Sequence, residues 1–401
     1  TVSVLYWRIA QTGQDAFRGI GMPGCDADPS APALKTHRAE DVGAGTTATG
    51  FAAVPRDFSS DTEAQAVMRG THDGFRDALL SQLRDAGGES ADEAAHHLDV
   101  WRATAAAQSD TLQVYARAQH ALADGLWQTR EVQYVFDTVA AVLGVGPKTP
   151  SEGSDSTRVR PCGAAAPLVR AAIDAYQREH DGAAMPRDAY SAAATRYNAL
   201  FTPPDGRPAR LLDVGSCYNP FGRGENRKPW LDVTAVDLQP SARAPDVLKC
   251  DWMAVDIADG DESSLPVATS SADDGPPLVR SIRTGSFDVV VMSYLLSFLP
   301  SAALRLLAVR KALRCLRPGG ILVIVEARRG GHRVGGWPAR WTAAIEANAG
   351  VDAVRVRQDV MKKSVGLVFA VGVRSLAGID LPRASTGLDV APVMSFDHEG
   401  D

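Results

Sequence analysis

Leu211-Leu-Asp-Val-Gly215 and, twenty residues on, Leu231-Asp-Val-Thr-Ala-Val-Asp237 constrain the fold more than any other part of the chain. Each is an apolar run of the length of a buried strand. The first empties into a loop of small residues, and the second ends in a carboxylate. In an open α/β sheet, ligands bind at the carboxyl ends of the strands, where close backbone approach needs glycine and an acid can hold a ribose diol. The glycine spacing is not that of a dinucleotide fingerprint. Ser216-Cys217-Tyr218-Asn219-Pro220 follows Gly215, with no third glycine where a tightly packed helix would need one.

A carboxylate, rather than a basic residue, after the second strand fits a free ribose diol. In series with Asp213-Val-Gly215 and the later Pro318-Gly319-Gly320 turn, it points to S-adenosylmethionine. On this reading Gly215 lets the methionine moiety approach the backbone. Asp213 orders the loop or accepts from the cofactor's ammonium, and Asp237 accepts from both ribose hydroxyls. In Cys250-Asp251-Trp252, Asp251 accepts from the adenine amino group and Trp252 covers the ring. Ser293 and Tyr294 end a further strand beneath the reactive end of the cofactor. Each residue alone also has a plainer reading: a tight turn for Gly215, a capping acid for Asp237, a core side chain for Trp252. Only the series favours the ligand. Asp213, Gly215, Asp237, Asp251, Trp252 and Ser293 are therefore the expected cofactor-binding residues, with no catalytic residue and no metal-ligand set assigned. Cys217 reads as a small side chain filling a tight loop, since no histidine–acid partner stands nearby to activate it.

The rest of the chain frames this core. Residues 1–60 carry scattered Gly, Pro, Ala and Thr with little periodicity, and are expected to be disordered or loosely packed. Residues 61–205 form a helical region. One helix is expected over about 61–86, at least two over 92–143, and two more over 164–179 and 187–200, with a Gly/Pro/Ser linker at 144–163. Trp101, Tyr115 and the other aromatics there read as packing residues, and His96-His97 as part of a solvated helix face. Residues 206–375 alternate between strands and helices, and 376–401 form a tail. Strands are expected at 210–214, 232–237, 287–292, 321–326, 355–360 and 366–372, with a short one at 247–249 and a helix from Ser301 to Leu316. The near-continuous apolar character of two of these runs suits a parallel sheet covered on both faces. The acidic stretch 259–280 reads as a solvated loop.

Composition narrows the partners. With 42 basic against 48 acidic residues there is no global nucleic-acid footprint, so any such contact has to be local. Five cysteines without metal-like spacing read as reduced thiols of an intracellular protein. No stretch approaches the roughly 18 apolar residues of a membrane span.

The α/β pattern behind an added helical region resembles a class I (Rossmann-like) S-adenosylmethionine-dependent methyltransferase. Leu211-Leu-Asp-Val-Gly-Ser-Cys-Tyr-Asn-Pro-Phe221 is more specific. With Val236-Asp237, Lys249-Cys250-Asp251, Phe287-Asp-Val-Val-Val291, Leu295-Leu-Ser-Phe-Leu-Pro-Ser301 and Lys311-Ala312, it resembles the family containing the fungal 25S ribosomal RNA adenine-N1 methyltransferase and the animal S-adenosylmethionine sensor SAMTOR. The resemblance covers roughly 209–370. It implies cofactor roles for Gly215 and Asp237, and an adenine contact for Asp251. It also implies one of two functions. The first is RNA adenine-N1 methylation, with Arg328, Arg329, Arg333 and Arg340 gripping ribosomal RNA in the nucleolus or nucleus. The second is a cytoplasmic cofactor sensor that regulates TORC1 signalling through a protein complex. In that case 92–143 and 164–200 should pack over the cofactor mouth. The arginine cluster favours the enzyme as the main expectation.

Overall fold

The computed structural model describes residues 61–85, 93–126, 130–146, 161–261, 266–270, 277–299, 301–328, 336–348, 350–373 and 394. Its centre is set by three strands that are apolar on both faces. β7 (Phe287–Ser293), β8 (Leu316–Ala327) and β10 (Ser364–Val371) are buried almost end to end. Such strands need helices above and below, which is the condition for a parallel sheet. With β1 (Ala209–Val214), β2 (Leu231–Asp237), β3 (Val247–Lys249) and β9 (Ala353–Val360), they lie in the order β3-β2-β1-β7-β8-β10-β9. β10 is antiparallel to both neighbours, and the other pairs run parallel. A parallel doubly wound sheet with its penultimate strand reversed, preceded by a helical region, is the class I methyltransferase fold. β1 leads outward to β2 and β3, and β7 leads outward the other way, so β1 and β7 bound the topological switch point.

One difference from the sequence expectation concerns the edge. Part of 259–280 is strand, where a solvated loop was expected. β5 (Val267–Ser270) pairs antiparallel with β6 (Leu278–Arg283), which also pairs with β4 (Asp256–Ala258) and meets β3 at Lys249. Only Val279 and Ile282 of β6 are buried, and no residue of β5 is. These strands are recruited by pairing to an existing edge, so they carry little apolar pattern to read.

The helices are α1 (Asp61–Asp85), α2 (Glu93–Ala107), α3 (Ser109–Leu126), α4 (Arg130–Leu143), α5 (Ala166–Glu179), α6 (Arg187–Phe201), α7 (Ala302–Cys315) and α8 (Trp337–Asn348). They divide between the two faces. Phe75, Leu79, Trp101 and Leu112 of α1–α3 join α7 and α8 over the face carrying Leu212, Val290, Met292 and Leu322. Val135, Phe136, Leu168 and Phe201 of α4–α6 cover the face carrying Leu211, Val289, Val291 and Val323. No helix follows β1. Residues 215–230 hold only the 3-10 turn Gly224–Asn226, and α4 fills the space with Phe136 edge-on to Phe221 (5.6 Å) and Trp230 (6.3 Å). No helix among the described residues is long and apolar enough to cross a membrane.

The amino-terminal ends of the strands are tied by a buried acid. Asp288, 0 % exposed, accepts from Arg207 Nη1 (2.6 Å), Arg317 Nε (2.5 Å) and the Arg210 amide (2.7 Å). The Pro318-Gly319-Gly320 turn belongs to this end. At Gly319 φ is +81°, and a Cβ would overlap the carbonyl oxygen of Leu200 at the end of α6. From sequence alone this turn belongs with the cofactor residues. It serves helix packing instead, at the end of the sheet away from the ligand-binding strand ends.

Candidate functional site

The loop after β1 is shaped by three left-handed residues, Gly215 (φ +76°), Cys217 (+53°) and Asn219 (+58°). Gly215 and Ser216 both donate their amides to Val236 O (2.9 and 3.0 Å), which folds the loop back onto the end of β2. There the Cys217 amide donates to Asp237 Oδ2 (2.8 Å) and the Gln239 amide to Oδ1 (2.8 Å). Each carboxylate oxygen thus keeps lone-pair capacity, and the acid faces a cleft. A Cβ on Gly215 would come within 3.2 Å of Leu295 Cδ1 across that cleft.

The cleft, a cavity of about 100 Å³ that opens to solvent at its mouth, lies at the carboxyl ends of β1, β2, β3 and β7. Gly215, Asp237, Asp251, Trp252 and Ser293 all line it, with Leu238, Gln239, Cys250, Met253, Tyr294, Leu295, Phe298 and Leu299. Five of the six expected residues are therefore brought together. Asp213 is the exception. It is 2 % exposed beneath the loop, outside the lining, and its Oδ2 has no hydrogen-bond partner. Its main polar partner is Ser216 of the loop, so any effect on the cleft passes through the loop.

The fourth wall comes from the helical region, whose aromatics read from sequence as packing residues and which only the sensor reading placed over the cofactor mouth. Trp101, Leu112, Tyr115, Ala116 and Gln119 of α2 and α3 line the cleft opposite Asp237 and Asp251. Trp101 Nε1 donates to Asp251 Oδ1 (3.3 Å), and the Cys217 thiol donates to Ala116 O (3.7 Å). Ser241, beyond β2, is hydrogen-bonded to His120 Nδ1 (2.8 Å). His97 is bonded to the Ser301 hydroxyl (3.0 Å), so only His96 of the pair lies on a solvated face. Phe75 packs edge-on to Trp101 (5.4 Å) and tilted against Phe298 (5.2 Å), which seats the wall on an aromatic cluster. Helical spacing gives the same stripe whether an aromatic packs or lines a cleft, so the sequence held no signal for this role. α4–α6 lie on the other face of the sheet. Of the region expected over the cofactor mouth, only α2 and α3 are there.

Burial pushes the Asp237 carboxyl up from 3.8 to about 6, against the two backbone hydrogen bonds. Burial likewise raises Asp213 to about 7, against its Ser216 hydrogen bond. Both folded-state values lie above the ordinary one, so the fold holds protons that the unfolded chain has released. That contribution is complete below the ordinary value and is lost as pH rises through about 6 for Asp237 and about 7 for Asp213. The ligand-free protein is therefore expected to melt at progressively lower temperature as pH rises from about 5 to about 8. Asp213→Asn should flatten the upper part of that slope. Identical slopes for variant and parent would show that Asp213 holds no proton in the fold. Burial also holds the Cys217 thiol well above its ordinary value, as suits an inert loop-filling residue.

Arg328 donates its amide to Lys363 O (2.8 Å) and, like Arg340 on α8, is half-buried. Neither lines the cleft. Arg329 and Arg333 lie outside the described residues. Among the described residues, no group of three or more His, Cys, Asp or Glu is placed to hold a metal ion.

No family model matches the chain. It is similar to the S-adenosylmethionine sensor upstream of mTORC1 of Danio rerio, 32% identical over 147 residues (34% of each chain). It is also similar to that of Xenopus laevis, 34% identical over 145 residues (34% of this chain, 33% of the relative). The match thus spans about a third of the length of these relatives. Among solved structures, it is similar to a TehB-like SAM-dependent methyltransferase from Corynebacterium glutamicum (19% identity, 41% of this chain and 81% of the other, TM-score 0.27). It is also similar to the 1,6-didemethyltoxoflavin-N1-methyltransferase of Burkholderia thailandensis (19% identity, 57% and 99%, TM-score 0.29).

Proposed function

We propose that this chain binds S-adenosylmethionine in the cleft and acts as a sensor, its occupancy read through α2 and α3 by a protein complex of TORC1 signalling. The observation that carries the reading is the hydrogen bond from Trp101 to Asp251, which makes a helix outside the sheet a wall of the ligand site. A ligand touching both walls stabilises their closure by its differential affinity for the closed state, and a partner that reads α2–α3 then reads occupancy. The residues fit the cofactor. Asp237 has unused acceptor capacity on both oxygens for a diol. Asp251 and Trp252 offer an acceptor and a ring wall for a base, while Gly215, Ser293 and Leu295 would hold the methionine end. The sensors named above lend support through their sequence similarity.

RNA adenine-N1 methylation, which the sequence placed first, is the competing reading on the same cofactor. Adenine N1 carries its own lone pair, so that transfer would need access and alignment rather than a base. The wall made by Tyr115, Phe298 and Leu299 would have to open to admit a nucleobase. Only the arginines favour it, and the two described ones stand away from the cleft.

Hydrogen exchange separates the two. On adding S-adenosylmethionine, amides of 93–126 should gain protection, while those of 130–143 and 166–201, on the far face, should not. Purified protein with methyl-labelled cofactor should transfer no label to total RNA or protein extract. Steady RNA methylation with unchanged exchange in α2–α3 would reverse the order of the two readings.

A further inference from the structure

The turn after β3 is gripped from two sides. On one side, Asp251 Oδ1 accepts the amides of Met253 (3.0 Å) and Ala254 (3.3 Å), and its carbonyl accepts those of Ala254 (3.1 Å) and Val255 (2.8 Å). On the other side, Lys311 of α7 donates its Nζ to the carbonyls of Trp252 (3.3 Å), Met253 (2.6 Å) and Val255 (2.7 Å). An ammonium has three protons, and three carbonyls converge on this one. The turn's amides point to a carboxylate and its carbonyls to a cation. One turn earlier on α7, Ala308 O accepts from Trp252 Nε1 (3.2 Å), so the same helix fixes both the backbone of the turn and its indole.

We infer that Lys311 is a positioning residue that sets the selectivity of the cleft for an adenine base; the inference rests on the S-adenosylmethionine reading. Asp251, Trp252 and Met253 line the cleft, whereas Lys311 does not, so its influence on a ligand passes through the turn. Burial draws its ammonium below the ordinary lysine value, while Asp251 and Cys250 act the other way. Few residues can replace it. Methionine matches the stem and leaves three inward carbonyls without a donor. Arginine keeps the charge, but its planar fork cannot converge on three carbonyls around one point. Either change frees the turn to shift, and Asp251 then no longer stands where it can tell an amino group from an oxo group.

The test is the preference for S-adenosylhomocysteine over its inosine counterpart, which replaces the 6-amino group with an oxo group. Calorimetry on the full chain should give the parent a preference of at least about tenfold. In Lys311→Met the preference should fall to within about threefold, mostly through weaker binding of the adenine form. Lys311→Arg should show the same loss while keeping a single cooperative melting transition, which keeps the test readable if the Met variant fails to fold. Equal weakening of both ligands, an unaltered preference, or misfolding of both variants would assign Lys311 to the scaffold alone and overturn the inference. A parent that binds adenine and inosine forms equally would overturn it while leaving the ligand reading intact. A parent that binds neither ligand would remove the reading and the inference together.

Discussion

Asp288→Ala is expected to lower the free energy of unfolding by about 3 kcal/mol, the low end of the range for breaking a buried ion pair. The carboxylate is fully buried at the amino-terminal end of β7 and joins three parts of the chain. Arg207 comes from the segment between α6 and β1, the Arg210 amide from β1, and Arg317 from the start of β8. Arg317 also donates to Leu200 O (3.1 Å), Phe201 O (2.9 Å) and Thr202 O (3.1 Å), satisfying carbonyls left open where α6 ends. Without Asp288, two guanidinium groups lose their counter-charge and an amide loses its acceptor. The loss stays at the low end because the side chains of Arg207 and Arg317 are 25% and 16% exposed, so water reaches them in part. Asp288→Asn should fall between, since it keeps an acceptor for the amide and loses the charge. Urea titration measures both. Ligand affinity in the folded variant should not move, because the network stands at the other end of the sheet from the cleft. A change under about 1 kcal/mol would mean that hydration replaces the acid cheaply.

Asp288 also marks the limit of what the sequence discloses. Phe287-Asp-Val-Val-Val291 announces a buried strand, and its apolar neighbours fix its place at the centre of the sheet. Nothing local shows that the acid within it gathers arginines from two distant parts of the chain. The same division runs through the candidate site. Gly215, Asp237 and Asp251 were legible because each sits where a strand ends, and a strand end has a local signature in an apolar run followed by a turn. Trp101 and Tyr115 were not, because a helix stripe reports that a face is buried without reporting against what. For that reason α4–α6 were expected beside α2–α3 and lie on the opposite face. β5 and β6 escaped because strands added at the rim of a sheet take their stability from backbone pairing, which leaves polar residues free to occupy them. Gly319 gave the reverse error. A left-handed glycine is equally required by a ligand or by a helix end, and here Leu200 supplies the reason.

Asp237→Ala is expected to weaken S-adenosylmethionine binding by about 3 kcal/mol, roughly a hundredfold or more, by removing a charged acceptor from two hydroxyls. The carboxylate also organises its own surroundings, through the Cys217 amide on Oδ2 and the Gln239 amide on Oδ1. Its loss therefore releases the glycine loop along with the ribose contact. Asp237→Asn should be no milder. Both oxygens already accept from backbone amides, so a side-chain amide must turn its NH2 group against one of those donors whichever way it flips. Asp237→Glu keeps two acceptor oxygens and displaces them by one methylene, and should retain part of the affinity. Protonation offers a reversible version of the same experiment. Burial raises the carboxyl to about 6, and only the ionised form presents acceptors to both hydroxyls. Affinity should therefore fall as pH drops through about 6, with proton release on binding near that pH, while the ligand-free fold gains stability over the same interval. Calorimetry in buffers of different ionisation enthalpy reads the released proton directly. Unchanged affinity in folded Asp237→Ala, or binding without proton release at pH about 6, would sink the ribose assignment.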